Sequence, residues 1–132
     1  DLFAGTGNVS FEFASRGVLS VIAVEQNRNC INFIQKTNKL LETNIEAFKV
    51  DVYKFLEKYN QKVDIIFADP PYSFSDDQFA KIIDLVFEKS LLIDDGMLII
   101  EHSKHTDLSE LSDFSFSKRY GGTVFSFFEA KD

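Results

Sequence analysis

Short runs of β-forming apolar residues alternate with longer stretches of helical periodicity along the chain, and this alternation restricts the fold more than any other feature. It is typical of βαβ units, in which a helix connects two parallel strands. The predicted strands are residues 2–3, 21–24, 47–50, 64–68, 97–100, 114–118 and 123–128. The predicted helices are residues 8–16, 27–42, 52–56 and 76–89. We therefore predict an α/β, Rossmann-like fold with a mostly parallel seven-stranded sheet and helices on both faces.

Local signals refine several element ends. Asn8 is predicted to cap the first helix and Gly17 to end it. The strand at 64–68 is almost entirely apolar, so we expect it to be buried on both faces. A turn is predicted at 94–96, and the Gly-Gly pair after Tyr120 predicts a C-terminal antiparallel hairpin. The second helix has apolar residues at helical spacing, namely Ile31, Phe33, Ile34, Leu40 and Leu41.

Composition limits the class of protein. With 132 residues, 45% of them hydrophobic, the chain is predicted to form a single domain over residues 1–132. It has neither a long apolar run nor a signal peptide, and its lone cysteine, Cys30, excludes a disulfide framework and a multi-cysteine zinc site. We expect a cytoplasmic protein without a metal. The net charge of −7 disfavours strong, sequence-independent attraction to phosphates.

Four predicted strand ends carry an acidic residue, and ligands bind at such ends in open α/β sheets. The first, Asp1, lies beside Gly5 and Gly7, whose lack of side chains lets a ligand approach the backbone. Both a dinucleotide and S-adenosylmethionine could use such a loop. The dinucleotide fingerprint expects glycine or alanine where this chain has Ser10, which demotes NAD without excluding it.

The next two strand ends indicate an adenosyl site. Glu25 can accept hydrogen bonds from ribose hydroxyls, a use that does not discriminate between the two ligands. Asp51 can accept a hydrogen bond from the adenine amino group, while the backbone N–H of Val52 can donate to a ring nitrogen.

The fourth strand ends at Asp69-Pro70-Pro71-Tyr72, which predicts methylation of an exocyclic amine. Asp69 and the Pro70 carbonyl can accept hydrogen bonds from an NH2 group and so orient it. Tyr72 can stack on a base extruded from its helix. Methylation of carbon would instead require a nucleophile such as a cysteine in this loop, and Cys30 is far away along the chain.

The chain resembles the RsmD-like family of small-subunit ribosomal RNA guanine-N2 methyltransferases. The resemblance rests on four segments, in order and spacing: 1–7, 69–72, Glu101-His102-Ser103-Lys104 and Arg119-Tyr120-Gly121. It implies a class I methyltransferase that uses S-adenosylmethionine on a guanine of ribosomal RNA or of the small-subunit particle. It also implies a basic upstream segment that contains a helix, so we expect the catalytic domain to be N-terminally incomplete, and we expect a monomer.

The site predicted from the sequence has two parts. The candidate cofactor-binding residues are Asp1, Phe3, Gly5, Gly7, Glu25, Gln26, Asp51 and Val52. The candidate catalytic residues are Asp69, Pro70, Pro71 and Tyr72. His102 has either a structural role or a contact with substrate. A loose basic patch, either phosphate-binding or merely solvated, comprises Lys104, His105, Lys118 and Arg119.

Other functions stay open at this point. A DNA adenine-N6 or protein glutamine methyltransferase would share the amine-methylating motif. A non-catalytic adenosyl-binding or RNA-binding module would share the fold. A nicotinamide-dependent oxidoreductase would share the glycine loop.

Overall fold

The computed structural model describes residues 1–130 and divides the chain into two compact units, Asp1–Phe55 and the part from Leu56 onward. The helices are α1 (Asn8–Ser15), α2 (Arg28–Leu41), α3 (Val52–Lys58) and α4 (Asp76–Glu88). The strands are β1 (Ile22–Glu25), β2 (Glu46–Lys49), β3 (Val63–Ala68), β4 (Leu92–Ser103), β5 (Phe114–Tyr120) and β6 (Thr123–Phe128). The α/β class predicted from the sequence is confirmed. Over residues 1–130, no helix combines the length and the apolar character needed to cross a membrane.

The first unit is built on two parallel strands. β1 pairs with β2 in a register that runs from Ile22 opposite Glu46 to Glu25 opposite Lys49. α2 packs on both strands, and its Ile34 is fully buried in a core with Val21, Ala23 and Ile45. Burial of Val21, Ile34 or Ile45 stabilises the fold by about 1.5–3 kcal/mol each.

The ends of α1 differ in part from the prediction. The N-cap is Gly7, with φ 87°, and Asn8 is the first helical residue, so the prediction of Asn8 as the cap was wrong. The helix does end before Gly17, whose φ is 90°. The N–H of Val18 donates to the Phe13 carbonyl and that of Gly17 to Ala14, which is the Schellman arrangement.

α2 is less buried than its apolar spacing suggested. Asn27 caps it by accepting a hydrogen bond from the Cys30 N–H at 3.1 Å. Ile31 and Ile34 are its buried residues, whereas three apolar residues of the predicted stripe are exposed in the structure: Phe33, Leu40 and Leu41.

The second unit contains a mixed four-stranded sheet in the order β3-β4-β6-β5. β3 and β4 are parallel, while β4 with β6 and β6 with β5 are antiparallel. The predicted C-terminal hairpin is confirmed, since Tyr120 lies opposite Thr123 across the two glycines. α4 packs on β4 and begins with a capping box between Ser75 and Gln78.

Two expectations about this sheet were wrong. β3 is not buried along its whole length, because Asp64 and Ile65 are exposed and only its last three residues are buried. The predicted turn at 94–96 is a bulge within β4. Val63 pairs with Leu92 and Ile65 with Met97, so residues 93–96 lie opposite Asp64 alone.

Gly96 allows this bulge by its size. A Cβ atom there would lie 2.9 Å from the Ile93 carbonyl oxygen and 3.0 Å from that of Asp64. Two backbone segments can approach each other this closely only because the side chain is absent.

The predicted seven-stranded, mostly parallel sheet is also wrong for the described residues. These form a two-stranded parallel sheet and a four-stranded mixed sheet, and the predicted first strand is only an isolated bridge between Leu2 and Val24. The predicted first strand does not form for a local reason, since Phe3 has φ 59° and takes the chain out of the extended conformation immediately after Leu2.

Candidate functional site

The glycine loop turns sharply between Leu2 and α1. Its backbone is fixed to β1, with the Val24 N–H donating to Asp1 O at 2.9 Å and the Ala4 N–H to Val24 O at 3.0 Å. Phe3, Gly5 and Gly7 all have positive φ, so the loop reverses direction within a few residues. Phe3 does so at a cost, since an L side chain disfavours this region.

The two glycines are needed for different reasons. A Cβ on Gly7 would lie 3.0 Å from Ile34 Cγ1 and 3.0 Å from Phe11 Cε2, so packing in the first unit already requires its absence. A Cβ on Gly5 would have no heavy atom within 4 Å. Open space lies beside Gly5, and of the two it is the position at which a ligand can approach the backbone.

Glu25 organises this loop with both carboxylate oxygens. Oε1 accepts the Gly5 N–H at 2.9 Å, and Oε2 accepts the Asn27 N–H at 2.8 Å. Each carboxylate oxygen has two lone pairs, so both oxygens keep acceptor capacity. The predicted ribose acceptor is therefore held in one orientation by the backbone.

Asp1 and Ser10 form a second connection within the loop. Asp1 Oδ2 accepts the Ser10 N–H at 3.1 Å and the Ser10 hydroxyl at 2.7 Å, and Ser10 is completely buried. In the sequence alone, Ser10 is notable only as a mismatch to the dinucleotide fingerprint. Its position three residues after Gly7, in the first turn of α1, was the available signal that it contacts a carboxylate.

Asp51 and Val52 lie where β2 leads into α3. Asp51 Oδ2 accepts the Lys54 N–H at 3.2 Å, and the Val52 side chain is buried. Burial raises the pKa of Tyr53, and the nearby charge of Asp51 adds to that shift. Gln26, the remaining predicted cofactor residue, is exposed.

The first unit thus brings Asp1, Gly5 and Glu25 together through direct hydrogen bonds and backbone pairing, and it places Asp51 at the end of the strand next to that of Glu25. This set of backbone and carboxylate groups fits an adenosyl group. An open glycine backbone, an oriented carboxylate for ribose hydroxyls and a second carboxylate for an amino group are the contacts that such a ligand requires.

The predicted catalytic segment lies in the second unit, directly after β3. Ala68 and Pro70 are buried, whereas Tyr72 is 83% exposed. The Phe74 N–H donates to the Pro71 carbonyl at 3.0 Å, which closes a turn after the prolines. The segment therefore has a buried, rigid base and an aromatic ring in solvent.

Asp69 has an acidic neighbour that sequence reasoning did not assign to the site. Ala68 of β3 pairs with Ile100 of the parallel strand β4, so the next residues along the two strands, Asp69 and Glu101, are neighbours. Asp69 is an exposed residue as a whole, yet its surroundings remove enough water to raise the pKa of its carboxyl. Burial, and then the charge of Asp69, raise the pKa of Glu101. Such perturbed carboxyls are typical of functional sites.

His102 has the structural role that was one of its two predicted interpretations. It is buried, with Nδ1 2.9 Å from the Ser103 carbonyl and Nε2 2.7 Å from the Ser126 hydroxyl. A carbonyl can only accept, so Nδ1 carries a proton, and in the neutral ring Nε2 accepts from Ser126. The histidine thus connects β4 to β6.

Comparisons with known proteins agree on the family. The family model described as "Conserved hypothetical protein 95" matches residues 1–129. The chain is 32% identical over 102 residues to ribosomal RNA small subunit methyltransferase D of Buchnera aphidicola, covering 76% of this chain and 51% of that protein. It is 30% identical over 115 residues to "Putative rRNA methyltransferase YlbH" of Bacillus subtilis, covering 83% and 61%.

A solved structure is also similar. A conserved hypothetical protein of Streptococcus pyogenes superposes with a TM-score of 0.85 at 25% identity, covering 96% of this chain and 82% of that one. The chain spans 51% and 61% of the length of the two curated relatives.

Proposed function

We propose that this chain transfers a methyl group from S-adenosylmethionine to the exocyclic N2 amine of a guanine in small-subunit ribosomal RNA. The chain belongs to the conserved hypothetical protein 95 family of RsmD-like methyltransferases, and this membership is the basis of the proposal. The names of both curated relatives, which describe rRNA methylation, support the reaction and the class of RNA. The site supports nitrogen as the atom that is methylated.

The observation that carries the proposal is the position of Asp69-Pro70-Pro71-Tyr72 at the carboxyl end of β3. The Asp69 carboxylate and the Pro70 carbonyl are both acceptors, and an amine presents two N–H donors. Pro70 is buried, so its carbonyl is held in place, and the exposed Tyr72 ring is available to stack on a base. Orientation of the amine is the main contribution that such an enzyme must make.

Asp69 also has the environment of a proton acceptor. When the new N–CH3 bond forms, the bond from the methyl group to sulfur breaks and the nitrogen must release one hydrogen as a proton. Partial desolvation, which raises the pKa of Asp69, makes its carboxylate a stronger proton acceptor than a fully solvated aspartate. Pro70 and Pro71 have no N–H that could compete for this carboxylate.

Within the first unit, the residues that would hold the cofactor are Gly5, Glu25, Asp51 and Val52. When bound, S-adenosylmethionine supplies an electrophilic methyl group. The backbone N–H groups that hold Glu25 fix the acceptor for the ribose hydroxyls before any ligand arrives. Such preorganisation reduces the entropy lost on binding.

The proposal is tested with purified protein, tritium-labelled S-adenosylmethionine, and either 16S rRNA or small subunits that lack the modification. We expect labelled N2-methylguanosine after digestion to nucleosides. Parallel reactions with 23S rRNA, adenine-containing DNA and a glutamine-containing protein test the other amine substrates. Label in one of those and none in 16S rRNA would replace the substrate, and no label anywhere would contradict the activity.

A matched pair of variants tests the role of Asp69. Asp69→Asn keeps the size but converts one acceptor oxygen into a donor, so we expect a loss of at least a hundredfold in methyl transfer. Asp84→Asn makes the same change at an exposed position of α4 and should retain activity. Equal activities of the two variants would remove Asp69 from the mechanism.

The partner and the cellular setting belong to the same proposal. We expect the protein to act as a cytoplasmic monomer on ribosomal RNA or on the small-subunit particle. Size-exclusion chromatography with light scattering tests the monomer, and comparison of naked 16S rRNA with the particle as substrate identifies the partner.

A further inference from the structure

A cleft of about 290 Å³ opens on the four-stranded sheet beside the β5–β6 hairpin. We call it the hairpin cleft. Its lining comes from β4, the loop at 104–109 and the two hairpin strands, and includes Lys104, Asp107, Ser109, Ser117 and Arg119. None of the predicted catalytic or cofactor-binding residues is among its described lining.

Two cationic side chains face this cleft. Neither Lys104 nor Arg119 forms an ion pair with any residue in the part of the chain that the structure describes. Arg119 Nε donates to the Gly121 carbonyl at 2.8 Å, which fixes the guanidinium and leaves its terminal N–H groups for a ligand. The Lys104 N–H donates to the Gly122 carbonyl at 3.0 Å. The Arg119 guanidinium and the Lys104 backbone are thus both tied to the same tight turn.

The remaining polar groups of the cleft suit an anion. The hydroxyl of Ser117 is a donor at its wall. His102 and Ser126 lie in the lining as well, but they satisfy each other at 2.7 Å and give the cleft a hydrogen-bonded wall.

One acidic group opposes an anion. Asp107 is held ionised by Ser109, whose side-chain and backbone hydrogen bonds lower the pKa of Asp107, and the charge of His102 contributes less. Lys104, Arg119 and Asp107 together give the cleft a net charge of about +1. It is a local exception in a chain whose net charge is −7.

The strand register separates the cations of the loose basic patch. Lys118 lies opposite Phe125 and Arg119 opposite Val124. Neighbouring residues of a strand point to opposite faces, so Arg119 faces the cleft with Ser117, while Lys118 lies on the face of the stacked Phe116 and Phe127 rings. Arg119 therefore lies in a concave, positively charged cleft, whereas Lys118 has the same charge but lies outside the cleft on the other face of the sheet.

We propose that the hairpin cleft binds a backbone phosphate of the RNA substrate, with Lys104 and Arg119 as its cationic ligands. The inference rests on the proposed function for the identity of the nucleic acid. Arginine and lysine are the usual partners of backbone phosphates, and such contacts set the position of a nucleic acid without reading its sequence. The hairpin cleft would thus position RNA, while chemistry occurs at Asp69–Tyr72.

The test compares four variants in filter binding to in vitro transcribed small-subunit rRNA. Lys104→Gln and Arg119→Gln should each weaken binding about tenfold, as expected for loss of a charge-assisted hydrogen bond. Asp107→Asn should strengthen binding, because it removes the opposing charge and keeps the acceptor for Ser109. Lys118→Gln is the matched control, with the same loss of charge on the opposite face, and should bind like the wild type.

Salt dependence separates a site from diffuse attraction. Loss of one phosphate contact lowers the slope of log K against log salt concentration by about 0.7–0.9. The double variant Lys104→Gln/Arg119→Gln should lose no more than this, because both side chains hold one phosphate. Affinity for S-adenosylhomocysteine, measured by calorimetry, should not change in any variant, and circular dichroism checks folding.

Several results would overturn the hairpin cleft proposal. Lys118→Gln weakening RNA binding as much as Arg119→Gln would indicate diffuse charge, and unchanged binding in both cleft variants would remove the site. An rRNA transcript that the wild type does not bind would also overturn it. Failure of the proposed function is distinguishable from failure of this site. It would appear as absence of methylated nucleoside in the methylation assay, whereas the ranking of the four RNA-binding constants tests the cleft.

Discussion

Gly7→Ala and Gly17→Ala introduce the same methyl group at nearly the same backbone angle, φ 87° and 90°, but into different surroundings. The new Cβ would lie 3.0 Å from Ile34 and Phe11 at position 7, and would have nothing within 4 Å at position 17. A left-handed conformation costs a non-glycine residue about 1–2 kcal/mol at either site. Only Gly7→Ala adds overpacking, which costs about 1–3 kcal/mol.

The expected destabilisation is therefore about 1–2 kcal/mol for Gly17→Ala and about 2–5 kcal/mol for Gly7→Ala. Ile34 is fully buried against the core of the first unit and cannot move away without disturbing Ala23 and Ile45. Urea unfolding followed by circular dichroism measures both variants. With a slope of about 1–3 kcal/mol per molar urea, the midpoint of Gly7→Ala should lie roughly 1 M below that of Gly17→Ala. Equal midpoints would refute the packing argument for Gly7.

Gly5→Ala extends the comparison from stability to binding. Its backbone angle is also positive, at φ 58°, and its Cβ would meet no atom, so its unfolding free energy should fall only as much as that of Gly17→Ala. If an adenosyl ligand passes over Gly5, the methyl group collides with it, and affinity for S-adenosylhomocysteine should fall at least tenfold. Calorimetry that found the same affinity in Gly5→Ala and Gly17→Ala would show that no ligand approaches position 5.

Two further predictions concern the second unit. The pKa values of Asp69 and Glu101 are raised in the folded state. Between the ordinary carboxyl pKa and these raised values, the folded protein therefore binds more protons than the unfolded chain. The two groups thus make the free energy of unfolding fall as pH rises through that window. Asp69→Asn should make this fall shallower in urea titrations at pH 4–7, and an identical pH profile would contradict the assignment. Ser126→Ala leaves His102 Nε2 without its partner at 2.7 Å and should cost about 1–3 kcal/mol of stability by thermal or urea unfolding, whereas an unchanged midpoint would show that the bond contributes nothing.

Element types follow from the sequence where local chemistry and pairing agree. β6 has its predicted bounds, because the two glycines before Thr123 fix the turn from which the strand begins. The bulge in β4 could not be predicted, since Asp94-Asp95-Gly96 has the composition of a turn and the distinction depends on pairing with Val63 and Ile65 in another strand. Local pattern contains no information on that partner.

Residues of the candidate site could be predicted from the sequence wherever a residue lies at the end of a single recognisable strand. Asp69 and Glu25 follow strands whose apolar pattern marks their ends. Ser10 and Glu101 were missed for a different reason, since each becomes relevant through a partner distant in the chain, Asp1 in one case and Asp69 in the other. Their side chains are ordinary for a helix and a strand until those partners are known.

The basic patch shows how far turn chemistry alone can resolve a surface. A two-residue turn at Gly121-Gly122 sets the hairpin register, and strand alternation then separates Lys118 from Arg119 without any structure. It cannot associate Lys104 with Arg119, because that depends on the Lys104 N–H reaching the Gly122 carbonyl and on the path of the loop at 104–109. Local sequence rules therefore place Arg119 in the proposed phosphate site, whereas Lys104 joins it only through a tertiary hydrogen bond. For this reason we expect Lys104→Gln and Lys118→Gln to differ in RNA binding, although both remove one positive charge.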